Sequence, residues 1–140
     1  MSKQADYITE CLVKAYLDGG FNLPTAYENR AFSKPGPDEP WAALFLLPDK
    51  PRPVTLGPHG EDEHRGILQV DLHYPLNSGT AGINAKYNEL AAWFTAGRRF
   101  SHNGTGVSVR SCGRGRGRKD DGWWTVSVSI NWYSKLHRGA

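Results

Sequence analysis

The stretch from Gly66 to Phe94 changes its hydrophobic period once and cleanly, and this change restricts the folds that are possible. From 67 to 74, apolar and polar residues alternate, which is typical of a strand with one buried face. The apolar members are Leu68, Val70, Leu72 and Tyr74. After Pro75 the apolar spacing becomes that of one helical stripe, formed by Ile83, Tyr87, Leu90, Ala91 and Phe94. The stretch therefore predicts a strand followed by a helix that packs back on it.

The last third of the chain predicts a β-hairpin and a long strand. Asn103-Gly104 is the strongest hairpin signal, because a type I′ turn needs positive φ at both central residues. This turn would join a short strand at about 99–102 to a second strand at 106–111. Strict alternation then predicts the clearest strand of the chain, with one face formed by Trp124, Val126, Val128, Ile130 and Trp132. Its expected partner is 107–112, with 113–122 as the connection.

The first half of the chain predicts one helix and two strands, separated by stretches rich in proline. Apolar residues on one side of 4–17 indicate an amphipathic helix, which Asp18-Gly19-Gly20 would end. Residues 26–29 are expected to form a short strand. The seven apolar residues from Trp41 to Leu47 indicate a central strand that is buried on both faces.

These elements together predict a single α+β domain over residues 1–140. We expect a mixed, mostly antiparallel β-sheet covered by two α-helices, with long loops at about 30–40, 49–65 and 113–122. A chain of 140 residues can fold without disulfides, and Cys11 and Cys112 are expected to be unconnected thiols. No apolar run reaches the roughly 18 residues of a membrane span, and the N-terminus lacks a signal-peptide pattern, so we expect no membrane partner.

A basic tract is the most conspicuous candidate for an interface. It has five cations in ten residues, interleaved with glycines: Arg110, Arg114, Arg116, Arg118 and Lys119. Three interpretations are open, namely a flexible solvated hairpin tip, a contact with an acidic protein surface, or a track for a phosphate backbone. Of the following pair, we expect Trp124 in the core and Trp123 outside it, where an exposed ring would pack on a partner or stack on a base.

The remaining clusters of reactive side chains predict neither an enzyme nor a metal or cofactor site. The run from His59 to His64 contains possible metal ligands, but it lies in a predicted loop without a rigid scaffold, which favours a solvated charge run. Ser101 and His102 are neighbours whose side chains diverge on a strand. Asp71 and His73 share the polar face of their strand, which predicts a hydrated sheet face or a subunit contact. We therefore expect no catalytic residue and no cofactor.

The order of these features resembles the phage tail terminator proteins of long-tailed phages. The most specific parts are Tyr27-Glu28-Asn29 before the first loop, and the strand that begins Gly66-Ile67-Leu68-Gln69-Val70 and ends at the Pro75 turn. The likeness extends from about Tyr16 to Tyr133. The basic tract and the double tryptophan depart from the family pattern.

The resemblance implies a structural virion protein without catalysis or cofactor. Such proteins have a mixed α/β fold and form a hexameric ring, which caps the tail tube, ends its polymerisation and offers the surface for head joining. The expected partners are further copies of the chain, the tail tube protein and the connector or neck protein, with DNA passing through the ring lumen. The expected location is the head-proximal end of the virion tail, after assembly in the host cytoplasm.

We expect the 49–65 loop and the 110–119 tract to contact neighbouring subunits or the tube, because a neighbour can complete extended loops and unpaired edges. The interface hypothesis comprises Arg110, Arg114, Arg116, Arg118, Lys119 and Trp123. The alternative function is a small nucleic-acid-binding protein that uses the basic tract with the two tryptophans. Retention on heparin and a steep loss of affinity with salt would mark that alternative.

Overall fold

A computed structural model describes residues 4–138. Its helices are α1 (Gln4–Asp18) and α2 (Ala81–Trp93). The strands, in chain order, are β1 (Thr25–Ala26), β2 (Trp41–Pro48), β3 (Arg52–Pro53), β4 (Glu61–Pro75), β5 (Arg99–His102), β6 (Thr105–Arg114), β7 (Arg118–Asp120) and β8 (Trp123–His137). Neither helix of this part of the chain has the length and apolar character that a membrane crossing requires.

The strands form one curled sheet, whose main path runs β1-β2-β4-β8-β6-β5. β3 is added beside β4, and β7 is added beside β8. The pairing of β1 with β2 is parallel, and the other pairings are antiparallel. β4 and β8 pair along their full lengths, from Glu61 opposite His137 to Pro75 opposite Trp123. These two long strands form the centre of the sheet.

The alternation predicted in β4 and β8 is confirmed, and so is the Asn103-Gly104 turn. The inward side chains of both strands share one core, which contains Leu68, Val70, Leu72, Val126, Val128, Ile130 and Trp132. Asn103 and Gly104 have φ of 49° and 81° and join β5 to β6. The local sequence pattern was therefore sufficient to predict the centre of the sheet and one of its hairpins.

Both predicted helices are confirmed, and both pack on the sheet face that carries this core, which we call the helix face. Their buried apolar side chains, with Phe94 directly after α2, are Ile8, Cys11, Leu12, Ala15, Tyr16, Ile83, Leu90 and Phe94. The opposite surface, which we call the open face, carries no helix in the described residues.

The sheet dominates the domain, so the prediction of a sheet covered by two helices is confirmed only in part. β4 and β8 have 15 residues each, while α1 and α2 have 15 and 13. Since a strand rises more than twice as much per residue as a helix, the long strands extend about 50 Å and the helices only about 20 Å. Two such helices cover only part of the helix face, and in the described residues neither covers the open face.

The prediction of β2 as a central strand that is buried on both faces is confirmed only in part. β4 pairs with its whole length on one side, but only the two-residue β1 pairs with it on the other. Its first half, from Trp41 to Leu44, is buried as predicted, while Phe45 and Leu47 are exposed. The apolar run therefore combines a core segment with an exposed apolar surface, which composition alone cannot separate.

The segment 49–65 is not entirely a loop, because β3 lies within it and β4 begins at Glu61. The beginning of β4 is a run of charged residues without apolar alternation. Its pairing with β3 on one side and β8 on the other keeps it extended. Arginines from β3 and from beyond β8 form ion pairs with Glu63 and Asp62 respectively. These ion pairs, made with residues distant in sequence, stabilise the charged run as a strand.

Aromatic side chains close one end of the open face, which corrects the hydrated surface predicted around Asp71 and His73. The His73 ring stacks on Trp41 with centroids 4.0 Å apart, and its Nδ1 lies 3.0 Å from Thr125 Oγ1. Burial lowers the pKa of His73 below its usual value. Trp123 meets Trp41 edge-on at 6.0 Å. His73 is therefore part of a small second core.

The connection predicted at 113–122 is mostly extended. β6 continues to Arg114, β7 follows at Arg118–Asp120, and both pair with the same side of β8. The tight turn lies further on, at Asp121-Gly122, where φ is 48° and 81°. The basic tract consequently lies alongside β8 and does not form a hairpin tip.

Candidate assembly surface

The basic tract forms one edge of the sheet, and we call residues 110–119 the basic edge. β5 pairs with β6 only as far as Ser108, and the loop before β5 adds hydrogen bonds to Val109. Beyond that residue, no strand of the described chain pairs with the outer side of β6 and β7. Another chain can complete the backbone N–H and C=O groups of such an edge. The basic edge is therefore a candidate contact surface.

Arg110 lies at a β-bulge and extends over the open face. The bulge shifts the register between Val109 and Ser111. The Arg110 guanidinium carbon lies 4.4 Å from the centroid of the Tyr133 ring, and Nη2 lies 3.6 Å from Glu63 Oε1. Because a bulge changes the direction of a side chain, it accounts for the reach of Arg110 towards β4.

Arg114 and Arg118 extend to opposite faces of the sheet. Arg114 Nη1 donates to Asn84 Oδ1 of α2 at 2.5 Å, and its guanidinium carbon lies 5.6 Å from the Tyr87 ring centroid. Arg118 Nη1 donates to Ser127 Oγ at 3.2 Å. Both residues are exposed, so each is positioned by a neighbour and still accessible to a partner.

Arg116 and Lys119 are exposed, and neither side chain forms a hydrogen bond or ion pair with another described residue. Trp123 differs from the rest of the predicted set, because its side chain is only 8% exposed and belongs to the second core with Trp41. The structure therefore brings the five predicted cations to one edge, but it does not offer Trp123 as an exposed ring.

Glu63 links the basic edge to the segment 49–65. Its carboxylate lies 2.8 Å from Arg52 Nη2 and 3.6 Å from Arg110 Nη2. The hydrogen bond from Arg52 lowers the pKa of Glu63, and the charge of Arg110 acts in the same direction. The two segments predicted to make contacts thus lie side by side.

A projecting hairpin at 52–60 joins β3 to β4, and we call it the arm. Arg138 holds its backbone, since Nε donates to Gly57 O at 3.0 Å and Nη2 donates to Thr55 O. Nη1 of the same guanidinium donates to Asp62 Oδ1 at 2.6 Å. The sequence analysis missed Arg138, because the carbonyls that it contacts lie 81 and 83 positions away along the chain.

The opposite edge of the sheet is partly sealed. Glu28 Oε1 accepts the backbone N–H of Leu46 at 2.5 Å, and Pro48 has no N–H to offer. Asn29 has φ of 54°, which turns the chain directly after Glu28. A side chain on an edge strand prevents indiscriminate pairing. This gives a physical role to the Tyr27-Glu28-Asn29 step, and it makes the two edges of the sheet unlike.

The open face carries apolar side chains beside polar ones. Phe45 and Leu47 are exposed, and Leu47 lines a depression of about 540 Å³. Ile67, Asn131 and Arg110 line it as well. This mixture is typical of a surface that contacts another protein.

Comparisons with known proteins are consistent with a contact surface on a structural protein. A family model described as "Phage tail terminator protein" matches residues 8–132. A solved structure is similar to this chain with a TM-score of 0.71 and 23% sequence identity, and the alignment covers 96% of this chain and 97% of that chain. At this identity the likeness establishes a shared fold. No curated protein matches the chain significantly.

Proposed function

This chain belongs to the phage tail terminator family, and on that premise we propose that copies of it close into a ring that caps the tail tube. The family is structural, so the chain is a component of a phage tail and is not assigned an enzymatic reaction. The match over residues 8–132 is the observation that carries the proposal, because it includes α2, most of α1 and most of the sheet.

Ring closure requires two different complementary surfaces on each copy. The unlike edges of the sheet support this requirement, since the basic edge is open while Glu28 and Pro48 protect the other edge. The arm and the uncovered open face add surface for neighbours. We propose a hexamer whose two faces bind the tail tube and the connector or neck protein, with DNA passing through the lumen.

An acidic protein surface is the partner that we propose for the basic edge. Nucleic acid is not favoured, because the aromatic stacking platform expected at Trp123 lies in the second core. Arg110 and Arg114 are also directed by contacts with Glu63 and Asn84, which suits a fixed protein surface. The basic edge would thus attach the ring to a neighbouring subunit or to the tube.

Replacing Arg114, Arg116 and Arg118 together by alanine is expected to weaken docking to tail tubes by about 10- to 100-fold at low salt, because three exposed charge contacts are lost. The difference in affinity between the variant and the natural protein should shrink as salt rises, since salt screens the three charge contacts that only the natural protein makes. Co-sedimentation with purified tubes over a salt series measures both effects.

A variant with Lys14, Arg99 and Lys135 replaced by alanine loses the same charge from exposed positions outside residues 110–119, on α1, β5 and β8, and serves as the control. It should dock with nearly natural affinity. Equal docking and an equal salt response of the two triple variants would remove the basic edge from the contact surface.

A further inference from the structure

The arm carries a leucine that projects into water from a fixed backbone. Leu56 is 92% exposed. The carbonyls on either side of it, those of Thr55 and Gly57, both accept hydrogen bonds from the Arg138 guanidinium. An apolar side chain held in this way is prepared for a contact, because little further ordering is needed when it binds.

A groove of about 330 Å³ lies between α1 and β2, on a different part of the molecule. Most of its lining is apolar, with Leu12, Val13 and Leu17 from α1 and Leu44 and Leu46 from β2. Leu17, at the end of α1, is 59% exposed. The groove therefore offers apolar surface that a projecting aliphatic side chain can cover.

Leu56 does not fill the groove of its own copy, since it is exposed to water. Leu68 lies on the floor of the groove, seven positions along β4 from the end of the strand that carries the arm. Seven strand residues extend roughly 23 Å, and the arm projects beyond that end. A pairing of arm and groove therefore requires a second copy, and it is of the head-to-tail kind from which rings are built.

Charge also favours this pairing. α1, which forms one wall of the groove, has three carboxylates and one lysine. Residues 49–60, which include the arm, have two cations and one carboxylate. Asp6 and Glu10 of α1 are exposed, as is Lys50 before the arm. Glu28 and Arg30 of the groove lining cancel each other in charge, and Lys14 pairs with Asp18. Asp6 and Glu10 therefore leave the α1 wall negative, opposite in sign to Lys50, which favours the encounter of the two surfaces.

We propose that Leu56 of each copy inserts into the groove between α1 and β2 of the next copy, so that arm and groove form a repeated contact around the ring. This inference rests on the proposed ring and adds to it the residues of one subunit contact. The contact places an aliphatic anchor in an apolar pocket with charged residues around it, an arrangement that suits a protein interface.

A disulfide test uses the full chain with Leu56→Cys and Leu17→Cys together. Each copy then has one thiol on the arm and one at the groove, so mild oxidation of assembled rings should give a covalent ladder beyond the dimer. Either single variant should give no species above a dimer. The native thiols add little background, because Cys11 is buried and burial raises the pKa of the half-buried Cys112 to about 11.

The matched control pairs Leu56→Cys with Leu47→Cys, because Leu47 is 47% exposed but lies on the open face. A ladder from the Leu56→Cys and Leu17→Cys pair, without one from the control pair, supports the contact. Assembled rings that give no ladder, or the same ladder with the control pair, overturn the contact and leave the ring intact. Failure of the natural protein to form rings even on tail tubes overturns both the ring and the contact.

A second measurement distinguishes loss of the contact between copies from loss of folding. Leu56→Asp should weaken self-association by at least about tenfold, as expected for loss of a central anchor. Its thermal midpoint as a single copy should match the natural protein, because the side chain is exposed there. Leu56→Met should assemble normally. Unchanged association of Leu56→Asp would overturn the inference.

Discussion

Replacing Trp132 by alanine is expected to lower the free energy of unfolding by about 3–5 kcal/mol, because it leaves a large cavity in the core. Trp132 is 2% exposed and lies on β8 between Gly66 of β4 and Val109 of β6. Removing its indole would remove packing against both neighbouring strands, β4 and β6. Urea unfolding followed by circular dichroism measures the loss.

Two variants at neighbouring positions serve as controls for this prediction. Tyr133→Ala changes the open face of the same strand and should cost only about 1 kcal/mol, chiefly the stacking with Arg110. Trp132→Phe should cost less than alanine, because Trp132 Nε1 is buried without a hydrogen-bond partner in the described residues. A Trp132→Ala cost no greater than that of Tyr133→Ala would contradict the placement of the core.

Gly66→Ala is expected to destabilise the fold by about 1–3 kcal/mol through overpacking. A Cβ at this position would lie 2.5 Å from the carbonyl oxygen of Leu47 and 2.9 Å from both Pro48 Cα and Trp132 Cζ2. Two of these atoms belong to the backbone of β2, which cannot rotate away as a flexible side chain can. The strands must therefore separate locally, and the unfolding midpoint in urea should fall.

Gly113→Ala is the matched control, because it also adds one methyl group to a glycine in a strand. A Cβ at Gly113 would meet no atom within 4 Å, and its φ lies outside the left-handed region. This change should be neutral or slightly stabilising, since alanine has less freedom to lose on folding. Similar stability of the Gly66 and Gly113 variants would argue against the close approach of β2 to β4.

The sequence predicted those parts of the fold in which local pattern and tertiary packing agree. The strict alternation in β8 and the Asn103-Gly104 turn are examples, since each needs only neighbouring residues for recognition. The beginning of β4 was missed because its charges are neutralised by two arginines distant in sequence, one in β3 and one just beyond β8. No pattern local to that segment could reveal them.

The contact surface was predicted less completely than the fold. The five cations were recognised. The glycines between them favoured the prediction of a flexible tip over that of a strand edge, since glycine is depleted in ordinary strands. Asp121-Gly122 carried the signal for the true turn. Arg138 and Leu56 had no local signature, because their roles depend on where the arm lies in space.

Ring closure on the tail tube is tested most directly by electron microscopy of the purified chain, alone and mixed with tail tubes, with light scattering to give the mass. We expect a closed annulus with a central hole, a mass of six copies, and one annulus at the end of a tube that stops growing. Single copies at the tips of tubes that continue to elongate, or open filaments of the chain itself, would contradict ring closure.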